Sequence, residues 1–201
     1  MEENFQEIKE EILRRGLEAN ACDEIDRASE SDNLAELAQV IKDNFNWCVS
    51  KRVINSEIIG KYKAEFASVG IYANESRDDG YVVIDNDVEY LSGDAIAILC
   101  DNATVNRVYD NATVNEVSDN ATINEVYGNS TVKYVSGNAT VNRVSGNATV
   151  NEVSGNATVN EVSDNAYISV YNYIECKIND HAIMRVRSEN KIYTNTPNRL
   201  V

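Results

Sequence analysis

The sequence predicts an α+β protein in which a small helical N-terminal domain is followed by a parallel β-helix (β-solenoid) of nine-residue repeats. Three observations carry this. From Asp101 onward the chain repeats every nine residues. Inside each repeat the apolar residues alternate as they do on a strand, whereas before residue 80 they recur at helical steps of three and four. The expected division is residues 1–80 for the helical domain and its linker, and 81–201 for the solenoid. Within the latter, 81–100 would form opening strands, 101–172 the regular repeats and 173–201 a C-terminal cap.

The repeats read DNATVNRVY, DNATVNEVS, DNATINEVY, GNSTVKYVS, GNATVNRVS, GNATVNEVS, GNATVNEVS and the decayed DNAYISVYN, eight units from Asp101 to Asn172. A short fixed period marks a solenoid, because one unit buries its apolar face only by stacking on its neighbours. In the unit Asp110–Ser118, Ala112 and Val114 share a face, with Thr113 and Asn115 pointing the other way. Val117 comes three residues after Val114, so the alternation slips once, as at a bulge or corner. Asp-Asn and Gly-Asn at the unit boundaries are turn formers that tolerate left-handed backbone.

Charge spacing favours two units, 18 residues, per coil. Arg107, Glu125, Arg143 and Glu161 then stack as a ladder of alternating sign, and Glu116, Tyr134, Glu152 and Val170 form a second ladder. A 27-residue coil of three units would set Glu125 beside Glu152, which cross-strand electrostatics disfavour, although it would keep Asp101 away from Asp119. Gly93–Cys100 reads as an eight-residue variant of the unit, and Tyr81–Val88 as the strand leading into it. Tyr171–Ile178 and Asp180–Arg187 continue the alternation without the Asn-Ala-Thr signature, as a closing coil would. Lys177, Arg185, Arg187, Lys191 and Arg199 make this end locally basic, and a homo-oligomer through it is an alternative to capping.

Residues 1 to about 74 read as helices. Phe5, Ile8, Ile12 and Leu13 are helically spaced, with Gly16 weakening or ending the first segment and Asn20–Ala28 continuing as a second. Ser31-Asp32-Asn33, with Glu36 three residues on, is an N-cap cluster for a helix carrying Leu34, Leu37, Ile41, Phe45 and Cys48. Ser56 opens another, carrying Ile59, Tyr62, Phe66 and Val69 up to Gly70. Glu75–Gly80 reads as the linker, and the bundle is expected to dock on the solenoid's open end.

With 33 acidic and 18 basic residues the formal charge is −15. Phosphate binding needs Lys and Arg to replace counterions, so nucleic acid is disfavoured as a direct partner and proteins with basic surfaces are favoured. No run approaches 18 apolar residues and the start of the chain lacks a signal-peptide layout, so no membrane partner and a cytoplasmic location are expected. Cys22, Cys48, Cys100 and Cys176 have no CxxC spacing and read as small reduced hydrophobes. His181 is the single histidine, so neither a metal nor another cofactor is expected. Seven Asn-x-Thr sequons, from Asn102 to Asn156, are explained by the repeat, Asn serving the turn and Thr an outward ladder. The outward Thr-x-Asn ladder also matches a flat ice-binding face in form, without an extracellular setting to support it. Calcium rolls need paired Gly-Asp ligands that are absent here. The glutamates at the variable position read as solvated ladder residues rather than a glycosidase pair, and no phosphate loop or nucleophile elbow is present, so a non-enzyme is expected.

The Asn-Ala-Thr-Val-Asn-Glu-Val-Ser-Gly array behind a short helical domain resembles uncharacterised short-repeat solenoid proteins of bacterial, phage and mobile-element genomes. In architecture alone it is similar to the acidic pentapeptide-repeat proteins, some of which mimic DNA, although the five-residue unit with its central Leu or Phe is absent. What the resemblance implies is a non-catalytic protein-binding module of phage or mobile-element type in a bacterial cytoplasm. Its sharper form is an inhibitor of a nucleic-acid-binding host defence system, anti-CRISPR or anti-restriction, acting through an acidic surface. The residues expected on that surface are Asp101, Asp110, Asp119, Glu116, Glu125, Glu152 and Glu161. Alternatives are a structural protein that self-associates or acts as a spacer, and a ligand- or carbohydrate-binding solenoid using Tyr109, Tyr127 and Tyr134.

Overall fold

The computed structural model describes residues 2–21 and 24–195; Cys22, Arg199 and the last six residues of the expected cap lie outside them. The chain forms two compact units. One runs to Ala73 and includes Gly80–Val83; the other comprises Asn74–Asp79 and everything from Ile84 onward.

The first unit contains helices α1 (Glu2–Glu18), α2 (Glu24–Glu30), α3 (Leu34–Asp43), α4 (Phe45–Ser50), α5 (Ser56–Lys61) and α6 (Lys63–Ser68). The cap cluster acts as read. Asn33 Oδ1 accepts the Glu36 N–H at 3.0 Å, while Glu36 Oε2 accepts the Asp32 N–H at 2.8 Å. Gly16 does not end α1. A Cβ there would lie 2.7 Å from the Ile25 side chain, so the glycine serves the close approach of α1 and α2. The two long predicted helices are each broken. Asn44 (φ −114°, ψ 26°) separates α3 from α4 and Tyr62 (φ −118°, ψ 46°) separates α5 from α6, so each amphipathic stripe bends around the core. Ser56 opens α5, and Asn55 caps it, its Oδ1 accepting the Ile58 N–H at 3.1 Å.

Ile8, Leu37, Ile54, Ile58 and Phe66 are fully buried in this unit. Strand β1 (Ile71–Ala73) replaces the end of the helical stretch that the spacing predicts to about residue 74, and pairs in parallel with β2 (Tyr81–Ile84) through Ile71↔Tyr81 and Tyr72↔Val82. The stretch read as linker is tied into the second unit. Arg77 O and Asp78 O accept the N–H groups of Ser92 and Asp94, at 3.0 and 2.9 Å.

The second unit is a parallel β-solenoid of about six turns. Its odd strands are β3 (Val88–Leu91), β5 (Thr104–Val108), β7 (Thr122–Val126), β9 (Thr140–Val144), β11 (Thr158–Val162) and the two-residue β13 (Lys177–Ile178). They stack in that order as one sheet. The even strands β4 (Ile96–Leu99), β6 (Thr113–Val117), β8 (Thr131–Val135), β10 (Thr149–Val153), β12 (Tyr167–Val170) and β14 (Ile183–Val186) stack as the other, which the antiparallel β15 (Lys191–Thr194) closes.

Partners in the regular repeats are 18 residues apart, as in Thr122↔Thr140 and Ile123↔Val141, so two units make a coil and the three-unit alternative is excluded. In the regular five-residue strands the slip resolves as two consecutive outward residues. In β7, Ile123 and Val126 point inward and are fully buried, with Asn124 and Glu125 outward between them. Ala121 and its equivalents Ala103, Ala139 and Ala157 are almost fully buried at the corner before each odd strand, so a larger side chain there has to displace close-packed neighbours. Burying an aliphatic side chain contributes about 1.5–3 kcal/mol, so columns of such positions stabilise the stack. The shortened outer units are absorbed by register shifts. Ala97↔Val114 is followed by Ile98↔Glu116, and Val150↔Ile168 by Val153↔Val170. Val170 therefore turns inward beside Val153 and does not join the outward Glu116 ladder; the decayed unit has lost one residue of the outward pair.

Candidate functional site

What the solenoid offers a partner is its outer surface, which the repeat organises into columns. On the odd-strand face Tyr90, Arg107, Glu125, Arg143, Glu161 and Lys177 follow one another in register, the alternating ladder expected from a two-unit coil. Beside it runs an amide column. Asn124 donates to Asn106, Asn142 to Asn124 and Asn160 to Asn142, each at 2.8 Å. The sequon asparagines form similar columns at the corners, as in Asn120 to Asn102 and Asn138 to Asn120 at 3.2 Å. Backbone turn and side-chain ladder thus account for the sequon asparagines and for those of the odd strands.

The corner aspartates have a structural task of their own. Asp101, Asp110, Asp119, Asp164 and Asp180 all hold left-handed backbone, with φ of 52–57°. Asp119 Oδ2 accepts the Asp101 N–H at 3.1 Å, Asp164 Oδ2 the Gly146 N–H at 2.9 Å and Asp180 Oδ2 the Asp164 N–H at 3.3 Å. Each of these three carboxylates closes the coil before it.

The seven carboxylates singled out from the sequence are divided among four places. Asp101 and Asp119 share one corner and Asp110 occupies the opposite one. Glu125 and Glu161 interleave with arginines on the odd-strand face, and Glu116 and Glu152 flank Tyr134 on the even-strand face. Glu152 is ion-paired to Arg187 at 2.6 Å and Glu161 to Lys177 at 3.4 Å. Glu116 is half-buried, and that burial, with the Asp119 charge adding to it, pushes its carboxyl above the usual range.

On the odd-strand face, ion pairs close the ladder at its two ends, through Glu89–Arg107 at 2.8 Å and Glu161–Lys177. In between, Glu125 and Arg143 are exposed and make no ion pair within 4.0 Å among the described residues. They flank an open groove of about 340 Å³ that Tyr127, Ser145, Gly146 and Asp164 also line. The groove originates in the ninth repeat position. That column reads Tyr109, Tyr127, Ser145, Ser163; the two tyrosine rings stack at 5.2 Å and 5° between planes, and the step from ring to hydroxymethyl opens the notch. The place therefore joins an aromatic ring, a guanidinium and two carboxylates. Of these only Glu125 was named for the contact surface from the sequence. Arg143 and Asp164 were missed, although aligning units two apart shows the tyrosine-to-serine step.

Among the described residues no group of three or more His, Cys, Asp or Glu is placed to hold a metal ion, and no helix is long and apolar enough to cross a membrane. Of the described cysteines only Cys48 is buried. The Cys176 thiol, which is partly covered, is pushed up to about 11 by that partial burial and by the Glu161 charge, which leaves it protonated at neutral pH. No family of known proteins, no curated relative and no solved structure matches the chain.

Proposed function

We propose that the protein is a non-catalytic protein-binding module that seats its partner on the odd-strand face of the solenoid, at the groove beside Tyr127. The observation that carries this reading is the pair Glu125 and Arg143, exposed and without ion pairs among the described residues beside a tyrosine ring, within a ladder whose end charges are already paired. Tyr and Arg are the residue types that most often dominate interface energetics, and a charge without an internal partner keeps its pairing capacity for another chain. The net charge of −15 favours partners with basic surfaces and speeds their encounter at low salt.

In its narrower form the module belongs to a phage or mobile element. It acts in the bacterial cytoplasm as an inhibitor of a nucleic-acid-binding defence complex, anti-CRISPR or anti-restriction. The support for this form is the overall negative charge and the resemblance of the repeat array. It does not require a continuous acidic strip, because the partner's basic surface would meet the corner aspartates and the groove together.

The test is retention of purified nuclease and CRISPR effector complexes on immobilised full-length chain across a salt series. Tyr127→Ala/Arg143→Ala is compared with wild type after circular dichroism has shown an unchanged fold. Binding that falls with salt and drops at least about tenfold in the variant supports the reading. Binding that the variant leaves unchanged removes the groove, and no binding at low salt removes the inhibitor form.

A further inference from the structure

The C-terminal end of the solenoid differs from the rest of the surface in three ways, none of which involves the groove. First, β15 is the edge of its sheet. It pairs with β14 on one side, through Met184↔Tyr193 and Arg185↔Ile192, and no other described strand lies on its outer side. At the same end the other sheet stops in a strand of two residues, β13, which leaves little backbone to pair with. By contrast β15 presents four residues, Lys-Ile-Tyr-Thr, without bulge or proline. An edge of this kind is a template for another strand.

Second, exposed apolar side chains gather here. Tyr171, Tyr173, Ile183 and Ile192 are exposed by 54%, 52%, 37% and 57%. Elsewhere among the described residues only Leu17 and Tyr134 are large, apolar and comparably open. Ile192 lies in register with the outward Arg185, and Ile183 is its diagonal neighbour on the same face.

Third, the charge changes sign. Between Tyr171 and Asn195, Lys177, Arg185, Arg187 and Lys191 stand against Glu175, Asp180 and Glu189, a net of +1, in a chain whose total is −15. Three of these cations are paired internally, Lys177 with Glu161, Arg187 with Glu152 and Lys191 with Glu189. Two copies of so acidic a chain repel one another over most of their surface, and this end is where they can approach without that cost.

We infer that the C-terminal end is a homodimer interface, formed by antiparallel pairing of β15 with β15 of a second copy about a two-fold axis. An antiparallel strand pair is self-complementary under that symmetry. Centring it on Ile192 sets the two Ile192 side chains opposite each other on the outward face and Lys191 opposite the other copy's Tyr193, so no like charges face each other. The pairing makes the even-strand sheets of two chains continuous and covers Ile192 in both.

The experiment is light scattering coupled to size exclusion on the full chain over a wide concentration range, with Ile192→Lys and a chain ending at Asn195 measured in parallel. Ile192 is exposed, so the lysine leaves the fold intact while placing a charge in the centre of the pairing. The expected result is a concentration-dependent dimer that Ile192→Lys weakens about tenfold or more, and that Tyr127→Ala/Arg143→Ala leaves unchanged. A strict monomer throughout overturns the inference. So does a wild-type monomer that dimerises only when residues 196–201 are removed, since the chain's own tail would then be the occupant of the edge.

Discussion

The carboxylate of Asp164 accepts the backbone N–H of Gly146, 18 residues earlier and one coil below, at 2.9 Å. Asp119 does the same for Asp101. Wherever the first residue of a unit is aspartate, a side chain can span two coils; wherever it is glycine, the left-handed turn is kept and the bond is forgone.

That relationship makes a paired prediction. Asp164→Gly retains the turn and loses the bond, for a cost of about 0.5–1.5 kcal/mol. Conversely Gly137, at φ 64°, sits over the Asp119 N–H, with the position of an added Cβ 3.0 Å from that nitrogen. Gly137→Asp supplies a carboxylate to this N–H, as Asp119 does for Asp101, and raises the melting temperature, whereas Gly137→Ala carries the same Cβ without an acceptor and lowers it. Thermal melts of the three variants decide the matter.

A larger side chain at a corner alanine has to displace its neighbours. Ala139 is fully buried, and Ala139→Leu forces larger atoms against the coils above and below, costing about 1–3 kcal/mol. Ile123→Ala empties space in the neighbouring column and costs about 2–5 kcal/mol. Denaturant titrations of the two variants should show lower midpoints, the second the larger change.

Asn142 donates to Asn124 and accepts from Asn160, both at 2.8 Å. Asn142→Ala breaks the amide column in its middle and lowers stability by about 1 kcal/mol, the range of a net hydrogen bond on a partly solvated surface. Amide exchange should quicken first in β7, β9 and β11, the strands on either side of the break.

Glu116 gives the solenoid a pH dependence of known sign. Burial raises its folded-state carboxyl above the ordinary 4.5, with Asp119 adding to the effect. As pH climbs through the unfolded value the unfolded chain loses its proton first, so stability falls from there up through the folded value and stays lower above it. Glu116→Gln is therefore expected to melt higher than wild type at pH 7 and level with it at pH 3. Equal melting temperatures at both pH values would show that the burial has no energetic consequence.

By itself the sequence determined the solenoid. The nine-residue period, the β-branched alternation and the turn-forming Asp-Asn and Gly-Asn pairs all act between close neighbours. The alternating sign of Arg107, Glu125, Arg143 and Glu161 was enough to choose 18 residues per coil over 27. The Asn33 cap and the left-handed Gly70 were legible for the same reason, being local backbone chemistry.

Tertiary structure decided what depends on residues from different coils or helices. The breaks at Asn44 and Tyr62 follow from wrapping an apolar stripe around a small core, a demand that no helical period records. Ser76, Arg77 and Asp78 read as a polar linker because their partners, Tyr90, Ser92 and Asp94, lie in β3 and in the turn that follows it. The inward turn of Val170 depends on one missing residue being absorbed by a register shift. The groove beside Tyr127 arises because stacking sets a serine above a tyrosine, and β15 comes to stand at the edge of its sheet among the described strands because the chain reverses after β14. Each of these is a juxtaposition across the stack, and a period read along the chain does not contain it.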